Sequence, residues 1–166
     1  MQIRRIRPDE WRELRDLRLR ALRDTPDAFG STYEREAAEP EQAWRDWAAD
    51  GAEGGSQFWA FALDETSGRV GGMALGSRHW QVEDAIGVFS MWVDPALRGR
   101  GLGRRLVEAV VGWARTTERP RVVLSVNETN ATAIRLYERC GFTPTGTRHP
   151  IREDSPITAI SMALVL

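Results

Sequence analysis

The chain of 166 residues contains no lysine: all 23 of its basic side chains are arginine, set against 24 aspartates and glutamates. That absence excludes a Schiff-base lysine, a covalent pyridoxal phosphate anchor and a lysine nucleophile. It also excludes a phosphate loop of the GxxxxGK[ST] type, whose lysine has no counterpart here. A single cysteine, Cys140, allows no internal disulfide. The two histidines, His79 and His149, have no partners at metal-ligand spacing, so no metal is expected. A net charge of −1 argues against a nucleic-acid coat. The longest mostly apolar stretch, Ala85 to Val93, is far shorter than the ~20 residues a membrane helix needs. Met1 to Pro8 carries charge with no apolar segment behind it, unlike a secretory signal. The expected setting is the cytoplasm.

What is present suits one packed domain over 1–166. Seven tryptophans and a 42% hydrophobic share supply a core, and a chain of this length buries roughly 70% of its unfolded surface. Gln2 to Arg7 reads as a short strand ended by Pro8. Asp9 is placed to cap a helix to about Arg23, along which Trp11, Leu14, Leu17 or Arg18, and Ala21 recur at helical spacing. A second helix is expected from about Pro40 to Ala49, and a loop over Gly51–Gly55. Gln57–Leu63 and Arg69–Leu75 read as a hairpin-like pair. Ala85–Val93 reads as a buried strand, Gly101 to about Thr117 as an amphipathic helix, and Arg121–Val126 as a β-branched strand. Asn130–Cys140 reads as a helix closed by Gly141, and two strands, Phe142–Arg148 and Ile157–Leu164, follow. The order predicts an α/β (α+β) fold: a mixed sheet of six to seven strands with about four helices.

The most specific segment runs from Val93 to Arg105, where a buried strand breaks at Asp94-Pro95 and a helix opens after Arg98-Gly-Arg-Gly-Leu-Gly103. Glycines at 99, 101 and 103 let backbone amides approach a ligand, and a helix N-terminus adds partial positive charge. Arg98, Arg100, Arg104 and Arg105 add fork-shaped donors suited to phosphate. Arg104 stands where a dinucleotide GxGxxG fingerprint needs its third glycine, so that reading fails. Taken alone, the loop is as compatible with a solvated arginine turn as with an anion cradle.

Two blocks together resemble a known family. Arg98-x-x-Gly101-x-Gly103 opening a helix is similar to the pyrophosphate motif of the GNAT superfamily of acetyl-CoA-dependent N-acetyltransferases. Asn127-x-x-Asn130-x-x-Ala133-x-x-Leu136-Tyr137-x-x-x-Gly141-Phe142 resembles the second block of that family, in the expected order. The resemblance implies a single GNAT domain in which the strands at 85–93 and 121–126 splay apart around the pantetheine arm of acetyl-CoA. It assigns Met91, Trp92 and Val93 to backbone contacts with that arm, with one amide polarising the thioester carbonyl. It assigns Arg98, Gly99, Arg100, Gly101, Leu102, Gly103 and Arg104 to the pyrophosphate, and Asn130 and Ala133 to the far side of the cosubstrate. Tyr137 becomes the general acid for the departing thiolate, by direct attack without a covalent acyl-enzyme. Cys140 reads as a small core residue. The implied partner is a small-molecule or peptide amine, with a homodimer possible and neither membrane nor nucleic acid required.

One departure stands out. Some family members carry a glutamate base on the central strand at the position held here by Gly87. Glu83, Asp84, Glu34 and Glu36 are substitutes, each also readable as a solvated carboxylate. Without a base, a CoA-binding sensor or interaction module of the same fold is the alternative. Charge is segregated: residues 1–23 carry a net +4, residues 24–68 a net −9, and residues 69–166 a net +4. That split suits an anionic cosubstrate and a cationic amine, or simply a solvated acidic face. Phe29, Tyr33, Trp44 and Trp47 would line an acceptor pocket or bury the second helix, and the spacing of the tryptophans favours packing.

Overall fold

A computed structural model describes residues 1–166. Its strands are β1 Gln2–Arg5, β2 Gln57–Leu63, β3 Val70–Arg78, β4 Ala85–Val93, β5 Arg121–Asn127, β6 Thr143–Pro150 and β7 Thr158–Val165. Its helices are α1 Trp11–Asp24, α2 Tyr33–Ala37, α3 Glu41–Glu53, α4 Leu102–Ala114 and α5 Ala131–Arg139, with 3-10 turns at Pro26–Ala28 and Pro95–Leu97. All strands join one sheet in the order β1-β2-β3-β4-β5-β7-β6. Every neighbouring pair is antiparallel except β4 and β5.

The sheet separates two apolar layers. On one face α4 lays Leu106, Val107 and Val110 against Ile86, Val88, Val122 and Leu124, all buried. On the other, Leu14, Leu17 and Leu22 of α1 and Trp44 of α3 pack on Trp59, Phe61 and Met73. Each such buried side chain contributes roughly 1.5–3 kcal/mol.

Three local expectations are corrected. Glu10, not Asp9, occupies the N-cap of α1, where its carboxylate accepts the Arg7 amide at 2.8 Å and both oxygens engage Arg4. The helix at Pro40 is the third rather than the second, because Thr32 accepts the Arg35 amide and starts the short helix α2 before it. Gly51 lies within α3, which ends at Gly54 in the left-handed conformation. A Cβ at Gly51 would come within 2.3 Å of Trp59 Cδ1, so this glycine serves the close seating of α3 on β2. Phe29 and Trp44 are buried in the α1–α3 layer and Trp47 stacks edge-on to Trp44, which settles them as packing residues.

Candidate active site

The parallel contact between β4 and β5 ends early. Ala85, Ile86 and Gly87 pair with Arg121, Val122 and Val123, and no pair follows. Beyond that point β5 pairs only with β7, and β4 only with β3. A bulge shapes the free edge of β4: Leu75 faces Phe89 but Met73 faces Trp92, so β4 holds one extra residue. Ser90 absorbs it with a φ of 51°, a conformation costing a non-glycine residue about 1–2 kcal/mol. The bulge also reverses the alternation of side chains. Ile86 and Val88 face the α4 layer before it; after it Val93 does, while Trp92 faces α1.

The glycine-rich loop leads out of that free edge. Gly99 and Gly101 have φ of 76° and 75°, and a Cβ on either would meet nothing. The first backbone bond of α4 is donated by Arg105 to Gly101. The amides of Gly99, Arg100, Gly101, Leu102, Gly103 and Arg104 donate to no protein acceptor. Six consecutive free donors at a helix N-terminus form a cradle for an anion. Leu102 itself is buried in the core, so its contribution is its backbone. Gly103 lies under Met91 and Leu136, where a Cβ would come within 3.0 and 3.1 Å of their side chains.

The arginines divide by role. Arg98 folds back, donating from Nε to the Val93 carbonyl at 2.9 Å and from Nη2 to Asp24 Oδ2 at 2.5 Å. Asp24 Oδ2 also accepts Trp92 Nε1 at 2.9 Å. The end of α1 thus fastens the loop to β4, and Trp92 can offer a ligand only its backbone. Arg104 pairs with Glu108 at 2.7 Å, and Arg105 donates to the Met1 carbonyl at 3.0 Å. Arg100 alone among the four has no hydrogen-bond or ion-pair partner in the protein. An exposed i,i+4 pair such as Arg104–Glu108 is weak and screened by solvent, so its guanidinium is readily redirected. Asp94, 6% exposed, anchors the start of the loop by accepting the Ala96 amide, Arg20 and Arg69. Burial works against its charge, yet those three donors together hold its carboxyl below the usual range.

On the far bank, Asn130 caps α5 by accepting the Ala133 amide at 3.0 Å. Asn127 at the end of β5 accepts from Thr129 and donates to the Asp27 carbonyl, tying this bank to the turn after α1. Tyr137 is buried against Phe142, with ring centroids 6.1 Å apart. Its hydroxyl has no protein partner, and it is not among the sealed, unpartnered polar atoms, so it keeps contact with the surface. Burial, reinforced by Cys140, pushes the phenol well above its ordinary pKa, so it holds its proton at neutral pH. Cys140 is half-buried and its thiol is also pushed up, by burial and then Glu108, which leaves it no reactive thiolate.

Gly87 has a steric reason. A Cβ there would stand 2.2 Å from Phe89 Cζ, because the Phe89 ring lies across it, packed beside His79 and Trp80. A longer side chain at 87 requires the half-buried Phe89 ring to turn aside. Among the substitutes, Glu36 gives both oxygens to Arg18, and Asp84 pairs with Arg119 at 2.5 Å. Glu34 and Glu83 are exposed. The arrangement that sequence reading missed is a contact between Ser125 Oγ and His149 Nε2 at 3.0 Å, made across β7. No spacing in the sequence signals it, because β6 and β5 meet only through the sheet order.

Comparison with known proteins agrees with this geometry. The profile of the acetyltransferase (GNAT) family matches residues 11–142. A mycothiol acetyltransferase of Acidothermus cellulolyticus is 34% identical over 155 residues, covering 89% of this chain and 46% of its own length. The chain therefore spans less than half of that relative. The peptidyl-lysine N-acetyltransferase YjaB of Escherichia coli is 28% identical over 165 residues, covering 99% and 97% of the two chains. In fold, the chain is similar to a GNAT acetyltransferase of Streptococcus pneumoniae, with a TM-score of 0.81 at 22% identity over 99% of both chains. It is equally similar to YncA of Salmonella typhimurium, solved with acetyl-CoA, with a TM-score of 0.81 at 22% identity over 100% and 94%. With its splayed strands, its amide cradle and a family match spanning most of its length, the chain belongs to the GNAT family of acetyltransferases.

Proposed function

We propose that this protein transfers the acetyl group of acetyl-CoA to a primary amine by direct attack, without a covalent acyl-enzyme. The observation that carries the reading is the early end of β4–β5 pairing beside a run of free amides from Gly99 to Arg104. A pantetheine arm fits the gap as a strand would, using unpaired backbone of β4 around Met91 and Val93. The amides and Arg100 would hold the pyrophosphate, and Arg98 would position the loop through Asp24. Asn130 and Ala133 at the start of α5 would border the cosubstrate. An amide near the Ser90 bulge would polarise the thioester carbonyl, so that catalysis rests on positioning and charge stabilisation.

Tyr137 would act at the departing sulfur. A phenol that holds its proton this firmly stabilises a thiolate by donating a hydrogen bond to it. The relatives whose names specify an acceptor include a peptidyl-lysine acetyltransferase, so a lysine side chain belongs among the amines to try. The obstructed Gly87 favours a second reading, a module that binds CoA without catalysis. Release of free thiol from acetyl-CoA separates the two, using an N-blocked lysyl peptide, a peptide with a free α-amine, spermidine and glucosamine. Amine-dependent release is the expected result; tight acetyl-CoA binding with no release for any amine contradicts the enzyme reading.

A further inference from the structure

We propose that Ser125 and His149 form a relay that removes the proton of the attacking amine, a role that rests on the acetyl-transfer reading above. His149 Nδ1 lies 2.9 Å from the Pro150 carbonyl, and its Nε2 lies 3.0 Å from Ser125 Oγ. A carbonyl only accepts, so Nδ1 carries the hydrogen of the neutral ring. Nε2 is then the acceptor, and the Ser125 hydroxyl donates to it. The remaining lone pair of Oγ is free to accept from a substrate N–H.

The location follows from the strand alternation. Val122, Leu124 and Val126 of β5 face the α4 layer, so Ser125 stands on the opposite face with Val123 and Asn127. Gly87 and Phe89 of β4 share that face, since Ile86 and Val88 point the other way. Gly87–Val123 is the last parallel pair. Phe89 and Ser125, each two residues further on, therefore flank the mouth of the splay from its two banks. The turn after α1 walls this side. Asn127 Nδ2 donates to the Asp27 carbonyl, and Arg152 donates to the carbonyls of Pro26 and Phe29 at 3.2 and 3.0 Å. The charged and titratable groups around His149 are His79 after β3 and the Arg148–Glu128 pair. His79 accepts the Gln81 and Val82 amides at Nδ1, and burial together with His149 keeps its ring neutral. With glycine at 87 and the Phe89 ring lying over it, β4 offers no carboxylate there, and the relay supplies a base from the opposite bank.

The step balances. The amine nitrogen bonds to the thioester carbonyl carbon, and its N–H proton passes to Ser125 Oγ as the Ser125 proton moves to His149 Nε2. The C–S electron pair leaves with sulfur, where the Tyr137 hydroxyl donates. His149, in an exposed contact, returns its proton to water. Ser125 is the catalytic contact and His149 acts through it.

The test uses the full chain with acetyl-CoA and the fastest amine of the panel above. For Ser125→Ala and His149→Gln we expect kcat at neutral pH to fall by about 100-fold or more, in the range of general-base loss. Acetyl-CoA affinity should stay within about twofold, which also reports an intact fold. In both variants kcat should lose the pH dependence that a titrating base gives the parent, while the rise of kcat/KM with the neutral fraction of the amine remains. Imidazole 15N–1H spectra of the parent should show His149 protonated at Nδ1. Full turnover in either variant, an Nε2–H tautomer, or an acetyl group found on Ser125 by mass spectrometry each overturns the relay. If the parent binds acetyl-CoA but acetylates no amine, the transfer reading fails and the relay with it. Turnover that survives both substitutions removes the relay alone.

Discussion

Gly87 and Phe89 are a matched pair, and the match decides what chemistry that stretch of β4 can offer. Restoring a carboxylate by Gly87→Glu should not raise turnover, because the side chain meets the Phe89 ring. It should instead destabilise the fold by about 1–3 kcal/mol through overpacking, measured by urea unfolding. Tyr137 invites the opposite experiment. Its hydroxyl has no protein partner, so Tyr137→Phe should leave the melting temperature and acetyl-CoA affinity unchanged. Turnover should fall about 10- to 100-fold, corresponding to one hydrogen bond to a charged group of about 1.5–3 kcal/mol. Undiminished turnover would remove Tyr137 from the mechanism. The resemblance to the two family blocks marks Tyr137, Asn130 and the loop glycines as candidates in the sequence. The Ser125–His149 contact was not legible, because it spans three strands whose order is fixed by the fold rather than by neighbouring residues.

At the scale of the element, the entry to α4 is a loop of unpaired amides that the proposed function makes the pyrophosphate site. Gly101→Ala should cost about 1–2 kcal/mol in stability, since residue 101 is left-handed. It should weaken acetyl-CoA binding by more than Arg105→Ala does, as Arg105 is engaged with Met1 and the amides, not that side chain, form the cradle. Isothermal titration of both variants checks the order; equal losses would shift the weight from backbone to side chains. The long periodic elements could be read from sequence to within a few residues. β4 is an instance, since nine apolar or small residues between turn signals suit a buried strand in length and composition. The short elements could not. The five residues of α2 carry too little period, and Gly51 looks like a breaker until Trp59 is seen beneath it. The bulge at Ser90 is likewise set by the partner strand, and it is what turns Trp92 toward α1.

Across the whole molecule, two carboxylates fasten separate parts of the chain and share one pH dependence. Arg4 holds Glu10 below its usual pKa against the opposing effect of burial, and Asp94 is lowered by Ala96, Arg20 and Arg69 despite its own burial. A lowered folded-state pKa means that each contributes stability above its unfolded pKa and loses it as pH falls through the folded value. Asp94→Asn should therefore be less stable than the parent at neutral pH, and the difference should vanish in acid. Melting temperature followed from pH 7 downward, with roughly pH 4 as the unfolded-carboxylate reference, checks this. A constant difference would assign the effect of the substitution to packing. The all-arginine composition fits the same picture, with Arg18, Arg20, Arg69 and Arg98 placed in charged tethers rather than in covalent chemistry. The central claim is that β4 and β5 open so that an amine can attack acetyl-CoA directly. Its most direct test is the initial-velocity pattern with acetyl-CoA and amine varied together. Intersecting lines, showing that both substrates must be bound before thiol is released, are the predicted result; parallel lines, the mark of an acetylated enzyme, would contradict the account.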